Sequence, residues 1–269
     1  MMHQMAKTRE TPEMSFTYRF TLATDPILGR LRDEIQASIE KLIVDVIYEA
    51  YVTSADEDYL SARVLAVKGL PRSFGWGAGQ ALEKYFKAFL LFRGEKVIGK
   101  EFHGHPIRKL YDATVRLDPS IANIDMSPHR NISADLHTQA HIKTVPLPDF
   151  IDIVETIGDP GNRYNANGVD FDTSYIFALD CFIYSFRSRI GAPAIECSFE
   201  KFDEDLLNPF YDNNPHFSHA QADAHSQVGT HSFRLLRQLG CTTQQYLVQN
   251  ESSFPNMHAL YWLRHRMRI

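Results

Sequence analysis

Apolar residues recur along most of this chain at intervals of three and four, which is the spacing of one helix face. The first such face lies between positions 25 and 47. Asp25-Pro26 marks its start, because proline suits the first position of a helix. Ser54 to Glu57 has the form of a capping box and predicts a second helix start, with Gly69 as its end. The pattern therefore predicts two successive helices over positions 25–69.

The same periodicity predicts helices further along the chain. One runs from about Trp76 to Phe92 with Gly94 closing it, and the next from Pro106 to Asp118. Weaker patterns predict helices near 128–143, 148–157, 172–190, 231–239 and 256–267. A loose alternation over 15–24 predicts a short strand, and the polar stretch 203–229 predicts a loop or a poorly ordered excursion.

Successive helices with short connections predict an all-α protein, arranged as an antiparallel helical bundle. We divide the chain into a partly disordered leader at 1–24, a helical bundle at 25–190 and a helical extension with a polar loop at 191–269.

Composition limits the kinds of partner and the cellular compartment that we expect. The formal net charge of -5 over 269 residues excludes a strongly cationic coat for nucleic acid but leaves room for a local basic groove. Three widely spaced cysteines predict a reducing compartment, and we expect a cytoplasmic protein. The N-terminal 13 residues lack an apolar signal region, and the apolar runs are too short and too charged to cross a membrane.

A resemblance to a known family lies between positions 58 and 111. Its residues are Tyr59, Ala62-Arg63, Gly69-Leu70, Gln80-Ala81-Leu82-Glu83-Lys84-Tyr85-Phe86-Lys87-Ala88, Gly94 and His103-Gly104-His105 with Leu110. In order and spacing these resemble the HEPN domain family. The chain departs from the family pattern at Pro106, where an acidic residue usually follows the histidine.

The resemblance implies an up-and-down helical bundle that usually forms a homodimer. Many HEPN domains are metal-independent ribonucleases of toxin or antiviral defence systems. Others are partners of nucleotidyltransferases, or bind nucleotides without cutting RNA. The family therefore leaves activity to be decided by the site.

HEPN ribonucleases carry an arginine followed after four to six residues by a histidine, and one segment of this chain fits. Arg130 and His137 are separated by six residues, and Asn131 follows the arginine. On a helix both side chains would share one face, with the histidine moving the proton and the arginine and Asn131 holding the phosphate. The alternative is chance, because the chain has 12 histidines and 28 lysines and arginines.

Two other pairs of polar residues could serve either a ligand or the fold. Arg163 and Tyr164 pair a cation with an aromatic ring in a turn, which suits a nucleotide base, although anchoring of the turn is the alternative. His103 and His105 suit a structural role at the start of a helix.

The histidine-rich stretch from His216 to His231 contains side chains that can bind a transition metal. Its polar composition predicts a loop, however, and no cysteine lies in it. We predict no metal and no cofactor. Gly75, Gly77 and Gly79 meet no nucleotide-binding pattern and predict close helix packing instead.

The prediction for function is a HEPN-like metal-independent ribonuclease, with Arg130, Asn131 and His137 as catalytic residues and Arg163 and Tyr164 binding the substrate. The alternative is a non-catalytic module for dimerisation or for binding a nucleotide or a partner protein. Expected partners are a second copy of the chain, RNA or a nucleotide, and a further protein, but no membrane.

Overall fold

The structure is a computed structural model. It describes residues 22–23, 25–99, 102, 104, 106–128, 141–159, 171–211, 214, 216–217 and 243–267. The described residues are helical and contain no strand, which confirms the predicted all-α class. None of the helices described is long and apolar enough to span a membrane.

The helices are α1 (Asp33–Ile47), α2 (Ser54–Val67), α3 (Pro71–Phe92), α4 (Ile107–Leu117), α5 (Leu147–Ile157), α6 (Ser174–Ile190), α7 (Glu196–Phe199), α8 (Glu204–Tyr211), α9 (Thr243–Gln249) and α10 (Phe254–Arg266). A π-helical segment, Tyr48–Thr53, lies between α1 and α2, and 3-10 turns occupy Leu28–Arg30 and Pro119–Asn123.

The first three helices each begin differently from the prediction, and α3 begins at Pro71, about five residues before the predicted Trp76. Helix α1 begins at Asp33, because a 3-10 turn intervenes after Asp25, whose carboxylate accepts the Ile27 amide. The predicted capping box at Ser54 is wrong: Thr53 and Ser54 both have helical backbone angles, and the chain passes from α1 to α2 through the π-helical segment. The Ser54 hydroxyl accepts a hydrogen bond from Lys84 instead.

Glycine contacts explain how closely the central helices approach one another. A Cβ on Gly77 would lie 3.0 Å from the Cβ of Ala62 on α2, and a Cβ on Gly75 would lie 1.9 Å from Cγ2 of Ile157 on α5. Larger residues at these two positions would push α3 away from both neighbours. The prediction that these glycines serve close packing is confirmed.

The core forms around α3, whose aromatic residues are nearly all inaccessible to solvent. Tyr85, Phe86 and Phe89 were predicted to lie on a buried or interfacial face, and all three are buried. Phe86 packs edge-on against Phe182 and Phe186 of α6, with ring centroids 5.6 and 5.4 Å apart. Each such ring removes a large apolar area from water.

The predictions for α4, α5, α6 and α10 agree with the structure within three residues at either end. The predicted loop over 203–229 is partly wrong, because α8 lies within it and buries Leu207 and Phe210. Pro209 and the surrounding polar residues hid this helix from the sequence pattern. The predicted helices at 128–143 and 231–239, and the strand at 15–24, fall mainly or wholly outside the described residues.

Candidate functional site: a surface cleft and two buried ion pairs

A cleft of about 650 Å³ opens beside the C-terminal end of α3. Its apolar lining comes from Leu90 of α3, Phe102, and Ala113 and Leu117 of α4. Clefts of roughly 300–1,000 Å³ hold small organic ligands in many proteins. The cleft therefore has the size for a ligand such as a nucleotide.

Helix α4 supplies the charged wall of this cleft. Lys109, Asp112 and Arg116 recur at intervals of three and four, so they share one helix face, and all three are exposed. Ile107, Leu110 and Thr114 lie buried on the other side of the same helix. The amphipathic pattern that buries α4 thus also directs two cations towards the cleft.

The opposite wall is the turn after α3, where Gly94, Glu95 and Lys96 line the cleft. Gly94 has a φ of 78°, a left-handed conformation that glycine adopts without strain and that ends α3. The chain then runs along the C-terminal end of α10, and the Val97 amide donates to the Arg266 carbonyl at 3.0 Å.

Arg266 holds this wall in place through three contacts. Its Nε donates to the Gly94 carbonyl at 3.1 Å, and its Nη2 donates to Asp25 at 3.0 Å. Its guanidinium carbon lies 4.3 Å from the ring centre of Trp262. One arginine therefore joins the N-terminal turn, the cleft wall and the last described helix.

The cations of the cleft differ from Arg108 in having no ion-pair partner among the described residues. Lys96, Lys109 and Arg116 form no ion pair within the part of the chain that the structure describes. Arg108, on the adjoining side of α4, is bound to Asp152, and this hydrogen bond raises the pKa of Arg108. With Glu95 and Asp112 included, the cleft carries a net charge of about +1 by simple counting of ionised side chains.

In the protein interior, α2 and α6 are joined by two buried ion pairs. Arg63 donates through Nε to both carboxylate oxygens of Asp180, at 2.9 and 3.0 Å, and the Tyr59 hydroxyl donates to the same carboxylate at 2.6 Å. Arg63 also donates to the carbonyl of Phe210 at 2.6 Å, which fixes α8 against α2. Asn214 in turn donates to the Tyr59 hydroxyl at 3.2 Å.

The second pair repeats this arrangement at the other end of the two helices. Asp56 accepts hydrogen bonds from Arg187, Tyr85 and, at 2.6 Å, Ser198 of α7. Arg187 also donates to the Pro193 carbonyl. Because Asp56 meets Arg187 while Arg63 meets Asp180, α2 and α6 run in opposite directions.

Burial sets the titration of these groups. It raises the pKa of Asp180, and Arg63 and Tyr59 act in the opposite direction. Burial likewise raises the pKa of Asp56, against the lowering effects of Arg187, Ser198 and Tyr85. The pKa of Tyr59 rises well above its usual value, first through burial and then through the charge of Asp180, so this hydroxyl remains a donor.

The residues predicted from sequence to act on RNA lie outside the described residues: Arg130, Asn131, His137, Arg163 and Tyr164. The same holds for His103, His105 and most of the histidine-rich stretch. Of that stretch His216 is described, and its ring stacks on Tyr184 with 4.8 Å between centroids. Over the described ranges no three potential ligands gather as a metal site would require.

Sequence reasoning did not identify the cleft residues. The separation of Lys109 and Arg116 by seven positions was visible and puts two cations on one face of a predicted helix. The contribution of Lys96 was not visible, because it depends on a contact between positions 94–97 and position 266.

Comparison with known proteins yields no relative: no family model, no curated protein and no solved structure matches this chain.

Proposed function

We propose that this protein binds single-stranded RNA or a free ribonucleotide, and that the cleft beside α3 and α4 holds the phosphate. One observation supports this above the others: Lys96, Lys109 and Arg116 stand around an apolar floor without a counterion among the described residues. Cations in such a position meet phosphate without first breaking an ion pair.

Phe102 supplies the second chemical feature that a nucleotide needs. It is half-buried and lines the cleft together with Leu90 and Ala113. An aromatic ring beside cations suits a base stacked on the ring while its phosphate lies against lysine or arginine. The HEPN-like segment at 58–111 agrees with this class of ligand.

Fluorescence anisotropy with a labelled single-stranded RNA of mixed sequence tests the proposal. The variant K109E/R116E is expected to weaken binding by at least about tenfold at moderate salt, because two phosphate-facing charges are reversed. Competition by unlabelled AMP and ATP separates the two forms of ligand. Effective competition indicates a free nucleotide, and its absence indicates that the RNA chain is required.

The matched control is K68E/R72E, which makes the same two charge changes at exposed positions. Arg72 lies 18 residues before Leu90 on α3, about 27 Å away along the helix axis. If this control weakens binding as much as K109E/R116E does, the RNA responds to overall charge and the cleft is not its site.

Cleavage of the RNA is a second proposal, and the spacing of Arg130 and His137 favours it. In a metal-independent ribonuclease the histidine would take the 2′-hydroxyl proton and the arginine would stabilise the charge on the phosphate. A second copy would bring two such pairs into one site. Such an enzyme would suit a toxin or defence system.

A mixed RNA pool incubated with the protein in EDTA tests for this activity. We expect the parent chain to cut and H137A to lose at least about a hundredfold in rate, since general acid–base catalysis contributes 10²–10⁴. H219A is the control, because it removes another histidine outside the motif. Equal cutting by H137A and the parent would exclude this histidine as the catalytic group.

A further inference from the structure

Helix α10 is apolar on two opposite sides. Its inner side buries Ala259, Leu260 and Leu263 completely against the rest of the protein. Its outer side exposes Phe254 by 47% and Tyr261 by 52% of their surface. Large aromatic side chains that recur on one helix face are normally covered, and no element among the described residues covers the outer side of α10.

Exposed apolar residues are concentrated in this region. Ten large hydrophobic side chains are exposed among the described residues, and half of them belong to α9 and α10: Tyr246, Val248, Phe254, Met257 and Tyr261. Scattered exposed hydrophobics are ordinary, whereas a contiguous patch marks an interaction surface.

The outer side of α10 carries an alternating stripe of aromatic and histidine residues: Phe254, His258, Tyr261 and His265. The intervals are four, three and four, which is the spacing of the contact positions in paired helices. Phe254 lies 4.2 Å from His258 between ring centroids, and Tyr261 lies 4.2 Å from His265. We call these four residues the outer stripe.

The outer stripe is complementary to itself when one copy is reversed. Because the intervals four, three and four read the same in both directions, an antiparallel second helix places Phe254 opposite His265 and His258 opposite Tyr261. Every aromatic ring then faces an imidazole. We propose that the outer stripe is a homodimer interface, in which two copies of α10 pack antiparallel about a two-fold axis.

The area of the patch agrees with such an interface. Phe254, Met257 and Tyr261 follow one another at intervals of three and four on the outer side of α10. Large apolar side chains each bury about 150–250 Å², so the exposed halves of these three amount to roughly 300 Å². A stable interface buries about 800 Å² per partner, somewhat more than half of it apolar. The patch therefore supplies most of the apolar share, and the imidazoles and polar side chains around it supply the rim.

Charge favours a protein partner over RNA at this surface. Arg264, beside the outer stripe, is bound to Glu251 through two hydrogen bonds of 2.7 and 3.2 Å. Arg266 is bound to Asp25. The arginines described in α10 are thus neutralised within the chain, so two copies meet without repulsion while an RNA phosphate finds no available arginine.

Sedimentation velocity on the full chain from about 2 to 200 µM tests the interface. We expect a concentration-dependent dimer for the parent. At pH 8, where histidine is neutral, Y261E and H258K are each expected to raise its dissociation constant at least about a hundredfold, because each buries a charge opposite an uncharged ring. Tyr261 is exposed and His258 is half-buried, and circular dichroism checks that both variants fold.

The double variant Y261E/H258K tests whether the two copies of α10 pack antiparallel. In the antiparallel arrangement each new glutamate faces a new lysine of the second copy, so the double variant is expected to recover most of the affinity lost by either change. A parallel arrangement would instead place lysine against lysine and glutamate against glutamate. Dissociation of the single variants without recovery in the double variant would overturn the antiparallel pairing.

V67E is the matched control, because Val67 is 47% exposed and lies on α2. It is expected to sediment like the parent. A parent chain that stays monomeric throughout the concentration range would overturn the proposal, as would a Y261E variant that dimerises normally. A monomeric parent whose RNA affinity falls on Y261E substitution would identify the outer stripe as an RNA surface instead.

Discussion

The buried arginines of this protein and the cations of its cleft have opposite surroundings. Arg63 and Arg187 are almost fully buried, and each is bound to an aspartate and to a backbone carbonyl. Lys96, Lys109 and Arg116 lie at the surface and have no ion-pair partner among the described residues. The first set is satisfied by the fold, whereas the second set is available to a ligand.

The buried ion pairs hold α2 and α6 in register. Asp56 and Arg63 on α2 are seven residues apart, as are Asp180 and Arg187 on α6. Two antiparallel helices with the same aspartate-to-arginine spacing pair each acid with the base of the other helix. A shift of α6 along α2 by one turn would leave four charges buried without partners, at a high cost in free energy.

Breaking one buried pair is expected to give the largest effect. R63M leaves Asp180 in the core without its cation and removes the donor to the Phe210 carbonyl, so the free energy of unfolding should fall by about 3–5 kcal/mol. Urea unfolding followed by circular dichroism measures it. K201A, which removes an exposed pair with Glu57, is the control and should cost less than about 1 kcal/mol.

A second change separates charge from packing in this prediction. R63M/D180N keeps an oxygen that accepts from the Tyr59 hydroxyl but leaves no unpaired charge, and should recover about half of the loss or more. The raised pKa of Asp180 supports this expectation, because burial already disfavours its ionised form. A double variant as unstable as R63M would contradict it.

The sequence predicted the elements of this fold better than the contacts between them. Helices α4, α5, α6 and α10 follow apolar repeats that a short window detects. Ser54 and Glu57 misled the prediction, because their spacing resembles a capping box. Between them lies Asp56, which is buried against Arg187, 131 positions away. Such long-range pairs determine whether a polar residue is buried, and no local pattern reports them.

The candidate site was predictable to a smaller extent. Lys109 and Arg116 share a face of a helix that the sequence predicted correctly, so the α4 side of the cleft could have been predicted. The other side depends on Arg266, which lies 172 positions from the Gly94 carbonyl it contacts. The predicted ribonuclease residues Arg130 and His137 stay a prediction, since they lie outside the described residues.

Removing the arginine that holds the cleft wall is expected to give an intermediate effect. R266M loses the hydrogen bonds to Gly94 and Asp25, which releases the turn carrying Lys96, and RNA affinity should fall about tenfold. The free energy of unfolding should fall by about 1–3 kcal/mol. Anisotropy titrations at several salt concentrations, well below the unfolding temperature, measure the affinity.

The salt dependence distinguishes positioning from direct contact. Arg266 is bound within the chain and touches no phosphate in our proposal, so R266M should keep the parent's slope of log affinity against log salt. Loss of a phosphate contact would reduce that slope by about one. R264M is the control, because this neighbouring arginine pairs with Glu251 and should leave affinity for RNA unchanged. A reduced slope for R266M would place it in contact with the ligand.

The smallest effect is expected from the acid that lies between the cleft cations. Asp112 is one helical turn from both Lys109 and Arg116, and its negative charge opposes a bound phosphate. D112N should therefore strengthen RNA binding by about threefold, since an exposed charge at this range contributes only a fraction of a kcal/mol in water. D205N on α8 is the control, because it neutralises an exposed acid that does not line the cleft. Weaker binding by D112N would mean that this carboxylate accepts a hydrogen bond from the ligand, such as one donated by a ribose hydroxyl. The cleft would then hold its ligand through both Asp112 and the cations, rather than through positive charge alone.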